Sequence, residues 1–430
     1  MRQAAKIHTQ KMIDIFINRR QARRLPHRMA ASCLALALLP TLLAAQATDA
    51  DSAAADPPRL TWHVDAITEG QWNMSHGRGN WVNLLWADMG VQTWKGGCIE
   101  VGALATGSLN DGIADDMQDF SNINAGNRAF RLTHLGIGQT FSDRLFAFVG
   151  LREADEDYFN TEGAGIFTGS SYGCVPHAGD NFALGVYPDA ALGLHLQYCP
   201  NDIWHLCTSL YNGTASDRLD RQFRFRPGQD GLINLGSITL TPPESLCKDA
   251  DGQPCNGALQ PTYVLGYAAG WQYAEGDDGS RVRKRGAALW ASIDQPLGKF
   301  RKTCLNLFAT GGARIGGLDE ARGHWAAALL LNGVTRRNGT LAMGVSQAYY
   351  AAGVRETDFE TTFHLPLLQW LSLQPALHVI RTDGNARVVG NLRLCICLGN
   401  DWGGDRTVTM STATTYASGA LQCLVRTASC

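Results

Sequence analysis

Beyond its N-terminus this chain of 430 residues has no stretch of eighteen apolar residues, which excludes helical membrane spans there. Charge is also scarce, at 18% of residues against 45% hydrophobic, and the two signs leave a formal net charge of only -2. Without a basic excess nothing resembles a nucleic-acid surface, so no nucleic-acid partner is expected. H-E-x-x-H does not occur, so the commonest signature of a two-histidine metal centre is missing. The pair Cys395-Ile396-Cys397 has no second zinc-like half nearby, and nothing calls for a cofactor.

What the sequence has instead is a period of two, clearest over residues 358–398. Phe359, Thr361, Phe363 and Leu365 fall on one face while Asp358, Glu360, Thr362 and His364 fall on the other. After Pro366-Leu367-Leu368-Gln369-Trp370 the pattern resumes, with Leu371, Leu373, Leu377 and Val379 opposite Ser372, Gln374 and His378. In a third run Leu392, Leu394, Ile396 and Leu398 oppose Asn391, Arg393, Cys395 and Cys397. Successive side chains leave opposite faces of a pleated backbone, so each run is a strand. Each is roughly eight to eleven residues long, about what a tilted strand needs to cross a bilayer. An ordinary sheet with one wet face has the same period. Without helical spans, a membrane role requires a closed barrel, because only that satisfies every backbone donor in lipid.

The N-terminus points to export. Arg19, Arg20, Arg23, Arg24 and Arg28 precede an apolar run at 34–43, and Ala45-Gln46-Ala47 forms an A-x-A cleavage site, so residues 1–47 read as a signal peptide. They carry eight Lys/Arg and one acid, and their removal takes the formal charge from -2 to -9. Residues 48–59 read as a flexible lead-in. In an oxidising compartment Cys247 and Cys255, which bracket a turn-rich insert, are candidates for a local disulfide.

Further runs appear at 99–105, 129–140, 145–151, 192–198, 204–210, 263–271, 289–294 and 305–310, with weaker ones at 325–331 and 341–346. Residues 60–91 are less regular, and their tryptophans suit a girdle at the lipid surface. About fifteen strands can be counted, and an even number is expected of a bacterial barrel, which gives sixteen. The fold expected is all-β, a transmembrane antiparallel barrel over residues 60–398. Connections mostly alternate between short turns and long loops. The loop at 110–127 holds Asp111, Asp115, Asp116 and Asp119; their spacing fits no familiar calcium loop, so it reads as solvated.

Three segments carry a family resemblance. They are Val149-Gly150-Leu151-Arg152-Glu153-Ala154-Asp155-Glu156-Asp157-Tyr158-Phe159, then Ile166-Phe167-Thr168-Gly169-Ser170-Ser171-Tyr172-Gly173, then Tyr187-Pro188-Asp189-Ala190-Ala191-Leu192-Gly193. With Asp119-Phe120-Ser121-Asn122-Ile123, Glu360 and the stretch 367–380, they resemble the carbohydrate-selective porin (OprB) family in its order and spacing, over roughly residues 60–398. The resemblance implies a sixteen-stranded outer-membrane barrel that lets sugars diffuse inward through a constriction of charged residues and aromatics. Members commonly stop at their last strand on an aromatic residue, whereas residues 399–430 here form an atypical extension ending on Cys430.

A sugar presents hydroxyls around apolar ring faces, so its pore needs exchangeable polar contacts and aromatic surfaces, each weak enough to release. Alternation turns Glu360, His364, Gln374, His378 and Arg393 toward the lumen, and Arg152, Glu153, Asp155 and Tyr158 become candidates for the narrow point if their loop folds inward. The expected partners are small sugars and the outer-membrane bilayer, with monomer or homo-oligomer left open. A general diffusion porin is the alternative; a barrel enzyme or a soluble exported sugar-binding protein is a more distant one.

Overall fold

A computed structural model describes residues 60–215, 219–242, 257–275, 280–300, 303–317 and 320–400. The first half of the sheet consists of β1 (Leu60–Asn73), β2 (Arg78–Trp94), β3 (Gly97–Ser108), β4 (Arg128–Ser142), β5 (Leu145–Arg152), β6 (Ala191–Tyr198), β7 (Trp204–Asn212) and β8 (Gly231–Leu240). The second half consists of β9 (Thr262–Glu275), β10 (Arg281–Phe300), β11 (Thr303–Gly316), β12 (Ala321–Asn332), β13 (Thr340–Tyr350), β14 (Arg355–Leu368), β15 (Leu371–Thr382) and β16 (Asn385–Gly399). Each strand pairs antiparallel with its neighbours in sequence, and β16 returns to β1 with His63 opposite Gly399 and Asn73 opposite Val389. These sixteen strands of the described residues thus form a closed antiparallel barrel, the fold class expected from the alternation. Closure leaves no row of unpaired backbone groups, which in lipid would cost several kcal/mol per group. Asn400 clasps the seam: its Oδ1 accepts from Trp62 N at 2.7 Å and its Nδ2 donates to Leu60 O at 2.9 Å.

The outer wall is apolar. Leu265, Met343 and Val149 face outward with 62%, 60% and 55% of their surface exposed, a cost in water that lipid removes. Aromatics gather at both ends of this wall. Trp94, Phe141, Tyr198, Trp204 and Trp370 are exposed beside the short turns, and Trp72, Trp81, Trp325 and Tyr349 beside the longer loops. Two such girdles bracket the hydrocarbon band of an outer-membrane barrel. Trp86 is an exception to the girdle reading of the N-terminal tryptophans, because its phase in β2 turns it inward, where it is 1% exposed.

Two loops fill much of the interior. In the β3–β4 connection Asp111, Asp115 and Asp119 are exposed, as expected of its acids, but its apolar residues turn inward. Ile113, Phe120 and Ile123 are buried, Glu356 of β14 accepts from Met117 N and Gln118 N at 2.8 Å each, and Asp116 accepts from Phe120 N at 2.7 Å. Inward carboxylates here satisfy backbone donors that an inserted loop would otherwise leave orphaned. The β5–β6 connection also enters the barrel, through the short helices α1 (Asp155–Tyr158) and α2 (Pro176–Gly179) and two 3₁₀ turns, Ala164–Ile166 and Ser170–Tyr172. Its aromatic side chains pack on small inward residues: Phe167 and Tyr172 lie with Phe308, Ala326, Ala328 and Ala342. Close approach is required at Gly312, where α2 meets the wall. His177 Nε2 donates to Leu289 O at 2.9 Å, and a Cβ on Gly312 would lie 1.9 Å from that oxygen and 2.7 Å from the nitrogen.

The signal peptide, the lead-in, Cys247 and Cys255, and residues 401–430 lie outside the described residues.

Candidate functional site

The β5–β6 loop is fixed to the inner wall at Thr168. Glu360, inward on β14, accepts from Thr168 N at 2.8 Å, Thr168 Oγ1 at 2.9 Å and Gly169 N at 3.1 Å. His378, beside it on β15, lies with Nε2 2.9 Å from Thr168 Oγ1 and with Nδ1 2.8 Å from Asp358 Oδ2. Gln374 donates to Ile166 O at 2.8 Å. On β16, Asn391 donates to Thr168 Oγ1 at 3.2 Å. Arg393 meets Glu69 of β1 at 2.7 Å and donates from Nη2 to Asn122 of the β3–β4 loop at 2.9 Å. Four adjacent strands thus hold both inserted loops through one buried polar network.

Alternation located the wall face, and Glu360, Gln374, His378 and Arg393 are brought together on it. Each is at most 3% exposed, because the loops cover them. His364 is inward and buried four residues further along β14, toward the short-turn end. Thr168 and Glu69 are the partners that alternation does not single out: Thr168 sits in an irregular loop, and Glu69 in the less regular N-terminal segment. Asp358, Glu360 and His378 present donor atoms within 4.8 Å of one another, the spacing of a candidate metal group. Both imidazole nitrogens are already engaged, with Asp358 and with Thr168, so the geometry is that of a hydrogen-bonded row.

The four loop candidates divide. Arg152 turns to the wall, where it clasps Asp157 with two bonds of 2.7 Å and lies over the Phe148 ring. Burial pushes the Asp157 carboxyl up, but the Arg152 guanidinium and then His195 outweigh it and hold it below the usual carboxylate range. Tyr158 follows Arg152 to the wall, its hydroxyl 2.7 Å from Ser209 Oγ, and burial raises its phenol well above the ordinary value. Glu153 and Asp155 face the other way. They line a cleft of about 120 Å³ with Trp86, Tyr187, Phe159 and Asn160. Trp86 and Tyr187 stack with ring centroids 6.4 Å apart and planes at 14°. Tyr187 is positioned at both ends, its N donating to Asp155 at 3.0 Å and its hydroxyl to Ile123 O at 2.8 Å.

A closed barrel with an apolar outer wall, two aromatic girdles and a loop drawn into its lumen defines the class as an outer-membrane porin. The sequence pattern described as "Carbohydrate-selective porin, OprB family" matches residues 102–396, and the chain belongs to that family. Among solved structures, the high-pH form of Pseudomonas putida OprB aligns with a TM-score of 0.63 at 14% identity, covering 79% of this chain and 94% of that one. Its low-pH form gives 0.49 at 15% identity over 79% and 92%. A mutant of the Rh. blastica porin gives 0.45 at 12% identity over 79% and 100%. The first of these likenesses supports the fold. No curated protein sequence matches the chain. The protein is therefore a channel of the bacterial outer membrane through which small sugars diffuse toward the periplasm.

Proposed function

We propose that the cleft between Trp86, Tyr187, Glu153 and Asp155 is the narrow point of the sugar path, and that Glu360, Gln374, His378 and Arg393 act by holding the loop that forms it. The observation that carries this reading is the pairing of aromatic rings with carboxylates and amides around one cleft. Ring faces suit the apolar side of a pyranose, while Glu153, Asp155, Asn122 and Asn160 offer exchangeable hydrogen bonds to its hydroxyls. Arg152 and Tyr158 brace the start of the loop, and His364 belongs to the inner wall nearer the short turns.

The same reading assigns no catalysis to the channel. Thr168, His378 and Asp358 follow one another like a nucleophile, base and orienting carboxylate, but Thr168 is fully buried and its hydroxyl is spent on Glu360. Homo-oligomerisation is compatible with the apolar outer wall, and native mass measurement in detergent distinguishes one barrel from several. Liposome swelling tests the path. Sugars should enter faster than amino acids or salts of similar size, and Tyr187→Ala should reduce that difference while leaving a folded barrel. Equal entry in the wild type would make the protein a general diffusion pore. An unchanged preference in Tyr187→Ala would remove the cleft from the path.

A further inference from the structure

Three arginines stand on the lipid side of the wall. In β10 the even positions Ala288, Trp290, Ser292 and Asp294 are buried inward. On the neighbouring β9, Gln272 also points inward, accepting from Ala183 N of the inserted loop at 2.6 Å. The odd positions therefore face out, and they place Arg281, Arg283 and Arg285, all exposed, beside Tyr273 and Trp271. The Arg281 guanidinium lies 4.1 Å from the Tyr273 ring centre and that of Arg283 lies 4.8 Å from Trp271. Among the residues whose side chains are described, which do not include Glu275 opposite Arg281, no carboxylate forms an ion pair with any of the three.

Their height on the wall identifies what they meet. Tyr263 lies level with Leu240 and through it with Trp204 of the short-turn girdle. From Tyr263 to Trp271 and Tyr273 the strand climbs about 20–25 Å, at about 3.4 Å per residue and a tilt of about 40°, which is the depth of the hydrocarbon band. The arginines begin where that band ends, at the end of the barrel that carries the long loops and faces outward. Below them Leu265, Tyr267 and Leu289 are exposed to acyl chains. A guanidinium held flat on an aromatic ring keeps its N–H fork free, and that fork matches the oxygens of a phosphate.

We propose that Arg281, Arg283 and Arg285, set by Trp271 and Tyr273, form a binding site for the phosphate groups of a phosphorylated glycolipid in the outer leaflet. The test uses the full-length protein in detergent, titrated with bisphosphorylated lipid A and with the same lipid after dephosphorylation, and read by native mass spectrometry. The phosphorylated lipid should bind at least about tenfold more tightly, and the Arg281→Gln/Arg283→Gln/Arg285→Gln variant should lose that margin. Equal retention of the two lipids by the wild type would overturn the proposal without recourse to any variant. So would a folded triple variant that keeps the wild-type preference; single Arg283→Gln serves if the triple does not fold.

Discussion

Replacing Glu360 by alanine should open the channel. The carboxylate holds two backbone amides and one hydroxyl of the inserted loop at 2.8–3.1 Å, in a place that water does not reach. Leaving each amide without a partner costs about 1–3 kcal/mol, so the docked loop loses about 4 kcal/mol in total, nearly a thousandfold in the ratio of docked to undocked forms. Gln374 and the packing of Phe167 and Tyr172 remain, so the loop shifts toward release without the wall being touched. The barrel itself depends on backbone pairing of β14 with β13 and β15, which the substitution spares. Planar bilayer recording should show a larger single-channel conductance, and liposome swelling a weaker distinction between sugars and amino acids. Glu360→Gln keeps acceptor oxygen at the site and should fall between. Wild-type conductance together with wild-type selectivity, in an alanine variant that still migrates as a folded barrel before heating, would refute the anchoring argument.

Other expectations follow from the same interior. Arg393→Met leaves Glu69 charged and buried, which costs about 3–5 kcal/mol and should lower the temperature at which the barrel unfolds; Glu69→Leu added to it should recover most of the loss. Gly312→Ala forces a Cβ against Leu289 O and His177, so α2 must shift, at about 1–3 kcal/mol, again measurable by thermal unfolding. In the β3–β4 loop, burial and then the charge of Asp119 raise Asp116 to about 7. The folded value lies above the free value of 3.8, so protonation favours the inserted loop, and that contribution is lost as pH rises from about 4 to 7. Cation preference, read from reversal potentials, should accordingly fall as pH drops through about 7, and Asp116→Asn with Asp119→Asn should flatten the response.

The barrel was legible in the sequence wherever its two faces differ in chemistry. In β14, Phe359 faces lipid between Asp358 and Glu360, and no reading other than a strand fits. Contrast fades in β12 and β13, where Ala326, Ala328 and Ala342 point inward to make room for Phe167 and Tyr172; these strands showed only weak runs because their inner face is apolar. Strands also continue beyond the expected turns, with β9 reaching Glu275 and β10 beginning at Arg281, because charge is tolerated where the wall rises out of lipid. The interior was harder to read. Phase tells which way Glu360 points but not that a loop 192 residues away covers it. Nor does the pattern show that Glu356 on distant β14 accepts from Met117 N and Gln118 N of the β3–β4 loop.

The seam between β1 and β16 is chemically no different from any other pair of neighbours in the ring, although it joins residues more than three hundred positions apart, as the contact of Trp62 with Asn400 shows. In such a ring the place where the polypeptide starts and stops is a matter of synthesis rather than of architecture. The covalent break could be moved to the Asp383-Gly384 turn by circular permutation, with the present seam closed by a linker, and the same cylinder would form. What the present order does determine is the cost of closure: the pairing that completes the cylinder joins its first strand to its last and so carries the greatest loop-closure entropy of any in the ring.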